Sequence, residues 1–345
     1  MARVPCLWYC LALTACAGPA VGPPAGGDDP ITAPAEAWAW VPFPDSACGN
    51  GEPTGIGVNL TARSSDVVIW FQGGGACWDG NTCLYLRLAD HLLDGYGAAD
   101  FAAEAELASP LFDRAAGPFR DASFVFVPYC TGDLHAGDSL QVYQYAAAQA
   151  AVRHAGAHDV DLYLRRLAAT FPGARRVFAV GASAGGYAVQ LLYPRLAAAF
   201  PDAAVHALAD SAQLVQPTGS RYATWQAAWG WSPPGACAAC AAELPALAGW
   251  LAGDWPDRRL ALLASTQDET LRAFFNYPAD GSFDLATRAL LRDQYPAGAA
   301  ARWFAVTTPA HGLLADPSVT SGGVALSTWL GQWYAGDPAW ASAGP

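Results

Sequence analysis

Arg175-Arg176-Val177-Phe178-Ala179-Val180-Gly181-Ala182-Ser183-Ala184-Gly185-Gly186 is the stretch that decides the fold. Arg176–Val180 reads as a buried strand, and the apolar stretch Gly186–Phe200 reads as a helix. Between them stands Gly-Ala-Ser-Ala-Gly. A strand-to-helix turn this tight accepts only small residues beside the serine, and it leaves the hydroxyl raised above the sheet. The pattern alone is common in a chain rich in Ala and Gly, where it can be a glycine-rich turn with a structural serine. Between a strand and a helix it is specific.

Further strands are expected at Val67–Gln72, Ser123–Val127, Val205–Ala209, Leu260–Ala264 and Trp303–Val306, with an antiparallel one over Gly55–Leu60. Helices are expected at Tyr143–Phe171, Glu269–Phe275, Asp284–Gln294 and Gly323–Tyr334. Short apolar runs alternating with helical stretches predict an α/β fold, a mostly parallel central sheet with helices on both faces. Residues 36–345 read as one catalytic domain. Pro217–Trp255, rich in Trp and Pro, reads as an insertion above the sheet.

A serine needs a base to attack at neutral pH. Of the 6 histidines, His311 follows the last predicted strand through Thr-Thr-Pro-Ala. Serine, acid, then histidine on the loop after the final strand is the chain order of an α/β-hydrolase. His154 and His158 read as one solvated helix face, with metal binding as the alternative. His91 falls in a helical context and His206 inside a strand. The acid is expected after Leu260–Ala264, at Asp268. Its neighbour Glu269 suits a helix start better, and Asp210 suits a supporting or substrate-binding role. Gly73-Gly74-Gly75, directly after a strand, lets backbone amides approach an oxyanion, with the Ala184 amide as second donor.

Composition narrows the setting. The net charge of −12, without a single lysine, disfavours nucleic acid and anionic membrane surfaces as partners. Residues 1–15 carry one early cation, Arg3, and an apolar run too short to span a bilayer, the pattern of an export signal. Leu13-Thr14-Ala15-Cys16 resembles a lipobox, which would make Cys16 a lipidated first residue. The alternative is ordinary cleavage near Ala17–Ala20. Residues 16–35 then read as a flexible tether. Six cysteines remain: Cys48, Cys77, Cys83, Cys130, Cys237 and Cys240. An even number in an exported chain suggests three disulfides. Cys237-Ala-Ala-Cys240 could be half a zinc site, but the sequence has no second pair of this kind.

Several stretches together resemble the pectin acetylesterase/Notum family: Phe71-Gln72-Gly73-Gly74-Gly75-Ala76-Cys77-Trp78, Val127–Asp133, Gly181–Gly186, Ala207-Leu208-Ala209-Asp210-Ser211 and Gln267-Asp268-Glu269. The resemblance runs over roughly residues 38–315. It implies Ser183, Asp268 and His311 as a triad, Gly73, Gly74 and Ala184 as oxyanion donors, and disulfides Cys48–Cys130 and Cys77–Cys83, which leaves Cys237–Cys240 as the local pair. Two departures stand out. Gln72 replaces an acidic residue, and the tryptophan near the glycine run is displaced to Trp78, so acyl preference does not transfer. His135 can line the site or make a structural hydrogen bond.

The expected activity is cleavage of short acyl esters, acetyl first, from an extracellular carbohydrate such as an acetylated polysaccharide. The alternatives are a lipid or protein deacylase with the same machinery, or a non-catalytic surface lipoprotein. No cofactor or metal is implied. The chain is expected to act as a monomer, exported, and in contact with a membrane only through a lipid anchor.

Overall fold

The fully apolar runs pair side by side because parallel strands covered on both faces bury every side chain. In the computed structural model, which describes residues 29–295 and 300–344, the strands are β1 (Ala39–Phe43), β2 (Thr54–Asn59), β3 (Asp66–Phe71), β4 (Ser123–Val127), β5 (Ser139–Tyr145), β6 (Ala148–His154), β7 (Arg176–Ala182), β8 (Ala204–Asp210), β9 (Leu260–Ser265), β10 (Ala301–Val306), β11 (Thr320–Ser321) and β12 (Val324–Ala325). The α-helices are α1 (Ala98–Ala102), α2 (Gly156–Thr170), α3 (Ala184–Leu191), α4 (Tyr193–Ala199), α5 (Arg221–Trp229), α6 (Ala246–Asp254), α7 (Glu269–Phe274), α8 (Ser282–Asp293) and α9 (Leu326–Ala335). Eight strands form one sheet in the order β1-β2-β4-β3-β7-β8-β9-β10. Its β1–β2 and β2–β4 pairs are antiparallel and the other neighbours are parallel.

Alternation along the central strands makes two cores. Val67, Ile69 and Phe71 of β3 face one way, with Val177 and Ala179 of β7, into a cluster closed by side chains of α2, α3, α4 and α6. Val68 and Trp70 face the other way, with Phe178 and Val180, against Phe101 of α1 and Trp329 and Trp333 of α9. Period-two alternation with helices on both sides is the α/β-hydrolase architecture.

Three disulfides, Cys48–Cys130, Cys77–Cys83 and Cys237–Cys240, are the two that the resemblance implies and the local pair it leaves. They belong to a chain that matures in an oxidising compartment, outside the cytosol.

The structure corrects three local expectations and adds detail to a fourth. The long helix from Tyr143 is a β-hairpin, β5–β6, turned through Ala146 at φ 50°, and the helix begins only at Gly156. His154 therefore lies on a strand and His158 on a helix, so the two share no helix face. His91 sits in a turn at φ 55°, not a helix. The stretch Pro217–Trp255 holds two α-helices, α5 and α6. The packed body starts ahead of residue 36: Ile31 is buried, its N–H donates to Thr170, and Arg166 donates to the Asp29 carbonyl. The signal over residues 1–15, Cys16 and the rest of the tether up to residue 28 lie outside the described residues.

Candidate active site

The residues singled out for chemistry gather at one edge of the sheet, beyond the carboxyl ends of the parallel strands, where open α/β sheets leave a crevice. Ser183 stands between β7 and α3, capping the helix start with φ 54°, ψ −122°. A non-glycine residue rarely adopts this backbone, and it persists only where neighbours enforce it. Here they do. A Cβ on Gly181 would lie 2.4 Å from the Gly185 backbone, and one on Gly185 would lie 1.9 Å from the Phe71 carbonyl oxygen. The Ser183 N–H is tied to the Asp210 carbonyl at 2.8 Å. The side-chain hydroxyl has no hydrogen-bond partner among the described residues.

The β3 ladder ends where the Gln72 N–H meets Val127 O at 3.0 Å, so the amides of Gly73 and Gly74 lie outside it. Glycine is required here by space. A Cβ on Gly73 would sit 2.8 Å from Ala182 O and 3.3 Å from Ser183 Cβ, which places this backbone directly beside the serine. Ala184 opens α3, and the first N–H groups of a helix have no partner within it.

Asp268, fully buried, follows β9 and uses both carboxylate oxygens. One accepts the Leu271 N–H at 2.9 Å and caps α7. The other meets His311 Nδ1 at 2.8 Å. An ionised carboxylate only accepts, so Nδ1 carries the proton and Nε2 presents its lone pair. Glu269 is the first residue of α7, as its position beside the positive helix end suggests. Asp210 is buried and spends its side chain on backbone amides of the loop after His311.

Three of the other histidines are buried in contacts of their own. His135 Nε2 donates to Gln72 O at 2.9 Å, between the Phe71 and Tyr129 rings. Burial pushes its pKa down to about 4, so a neutral ring steadies the strand end that carries the glycines. His154 is buried between Thr131 O and the Tyr143 hydroxyl. Burial holds His206 at about 3. Among the described residues no cluster of three or more His, Cys, Asp or Glu could hold a metal ion. Gln72 bridges Tyr129 N and Glu104, so an acidic residue at 72 would face the Glu104 carboxylate.

The walls of the site carry no sequence motif. Beside Ser183 lies a small cavity lined by Leu134, Tyr187, Trp225, Trp229, Leu271 and Phe274, with about 20 Å³ of free space. Trp225 stacks on Trp229 with ring centres 5.5 Å apart, and Trp78 packs on Trp225 at 5.6 Å. The displaced tryptophan of the glycine run therefore backs the wall. The Trp-rich composition of Pro217–Trp255 was the available signal.

The pectinacetylesterase family profile matches residues 44–224, more than half of the chain. The chain belongs to the pectinacetylesterase family. Membership makes it a hydrolase acting on esters. Among solved structures, the Wnt deacylase Notum from Drosophila superimposes with a TM-score of 0.65 at 17% identity, over 86% of this chain and 93% of that one. At that identity the likeness shows the shared fold. No curated protein matches the chain by sequence.

Proposed function

We propose that this member of the family is a serine esterase that removes short acyl groups, acetyl first, from an extracellular carbohydrate. His311 takes the Ser183 proton as the oxygen attacks the ester carbonyl. The amides of Gly73, Gly74 and Ala184 hold the oxyanion, and His311 returns the proton to the leaving alcohol. Water then releases the acid by the same steps in reverse order of partners. Asp268 orients the imidazole and steadies its charged form. The observation that carries this reading is the 2.8 Å Asp268–His311 bond, which leaves the second ring nitrogen free for a serine on a strained elbow. Such serine–base contacts often tighten only when substrate binds.

The acyl preference rests on the walls: Trp225, Trp229, Leu271 and Phe274 crowd the small cavity beside Ser183, which favours a short acyl group over a long one. The expected kcat/KM for 4-nitrophenyl octanoate is at least about 100-fold below that for the acetate, with a fluorophosphonate adduct on Ser183 by peptide mass spectrometry. Faster turnover of octanoate would move the reading to a lipid deacylase. An adduct elsewhere, with Ser183 untouched, would end the serine mechanism.

Export through residues 1–15 and lipidation of Cys16 belong to the same proposal, supported by the Leu-Thr-Ala-Cys motif and the disulfides. The mass of the mature N-terminal peptide checks it: a diacylated cysteine is expected, and an unmodified terminus near Ala17–Ala20 would refute the anchor.

A further inference from the structure

Three consecutive amides of the loop just past His311 converge on one dipeptide. Gly312 N–H donates to Ser211 Oγ at 2.8 Å. Leu313 N–H donates to Asp210 Oδ1 at 3.0 Å and Leu314 N–H to Asp210 Oδ2 at 2.8 Å. The Ser211 hydroxyl donates in turn to Asp210 Oδ1 at 3.1 Å, so every side-chain oxygen of the pair is used. Gly312 at φ 85° gives the loop the concave backbone in which successive N–H groups point at one anion.

The dipeptide is itself firmly held. Asp210 ends β8, opposite Ala182 in the β7–β8 register, and its carbonyl accepts the Ser183 N–H. Ser211 N–H donates to Leu263 O of β9 at 2.9 Å, and Ser211 sits at φ 50°. One residue therefore grips the backbone of the serine with its carbonyl and the loop of the histidine with its carboxylate. A hydrophobic plug alone could seat this loop, and Leu313 is buried in the second core. A fully buried carboxylate is an expensive addition to that plug, so stability is a poor reason for it.

We infer that Asp210 and Ser211 are positioning residues that fix the His311 loop relative to the Ser183 elbow. This rests on the serine–histidine reading above. Asp268 alone leaves the imidazole free to swing about its Nδ1 contact, since a single hydrogen bond sets direction but not depth. The three loop amides set the depth. Displacement of a reacting group by an ångström costs turnover far more than substrate binding.

The test uses the full chain with Asp210→Asn and Ser211→Ala, the second removing one loop contact and no charge. kcat and KM are measured on an alkyl acetate and on 4-nitrophenyl acetate, per active site counted by fluorophosphonate titration. For each variant kcat is expected to fall about 10- to 100-fold, with KM within about twofold. The loss in kcat/KM, which reports the acylation step, should be larger on the alkyl ester, whose poor leaving group needs the proton from His311. Ser211→Ala keeps the question open to measurement if Asp210→Asn fails to fold. Wild-type kcat per site in Ser211→Ala, or equal losses on both esters, overturns the inference. A His311→Ala control separates the two layers: activity surviving in it defeats the serine–histidine reading itself.

Discussion

Ser183→Ala is expected to lower ester hydrolysis by at least about 10⁴-fold while leaving the melting temperature within a degree or two of the parent. The size follows from the chemistry: without the hydroxyl no acyl-enzyme forms, and only binding and the oxyanion amides remain, as in serine hydrolases whose nucleophile is removed. The small effect on stability follows from the structure. Ser183 Oγ makes no hydrogen bond among the described residues, so its loss orphans nothing. The backbone tie to Asp210 O at 2.8 Å is kept. Alanine also carries no branch at Cβ to worsen a left-handed φ of 54°. Initial rates on 4-nitrophenyl acetate beside a thermal melt decide it. Turnover near the parent value would mean that another group attacks the ester, and a collapsed melt would mean that the serine holds the elbow together.

The sequence exposed the frame of this site because its signals are short-range. Val67–Phe71 and Val177–Val180 are continuous apolar runs that only a covered parallel sheet can use, and within two residues each is followed by a glycine where another backbone comes within contact distance. The loops after β9 and β10 were legible for the same reason, and Asp268 and His311 meet there. What failed was local propensity overruled by distant packing. Ala148–His154 reads as helix because alanine favours it, yet it pairs with β5, burying Tyr143 and Val152 against the Cys77–Cys83 segment. The Trp225 wall and the Asp210–Ser211 grip were hidden differently. Each joins residues tens of positions apart with no spacing rule, and the grip uses backbone N–H groups, which no residue letter reports.

Asp268→Asn separates two jobs that one carboxylate performs. In the parent, Oδ1 caps α7 through Leu271 N–H and Oδ2 holds His311 Nδ1–H. Asparagine has one acceptor and one donor group. If its oxygen keeps the cap, its amide donates toward Nδ1. The proton then moves to Nε2, the nitrogen that must accept from Ser183. A neutral imidazole in that tautomer is no base, and a loss of about 10⁴-fold in kcat is expected. If the oxygen instead turns to the imidazole, the cap is lost, which costs about 1 kcal/mol. Burial on all sides gives the amide no third partner, so one function must suffer. The first outcome is expected, because a main-chain donor inside the fold cannot reorient, whereas imidazole can exchange its proton between nitrogens. The variant should therefore melt close to the parent and be nearly inactive, with Asp268→Ala equally inactive and less stable. An Asp268→Asn protein with a normal rate would show that the imidazole keeps its working tautomer without this carboxylate, and the acid of the mechanism would have to be sought elsewhere.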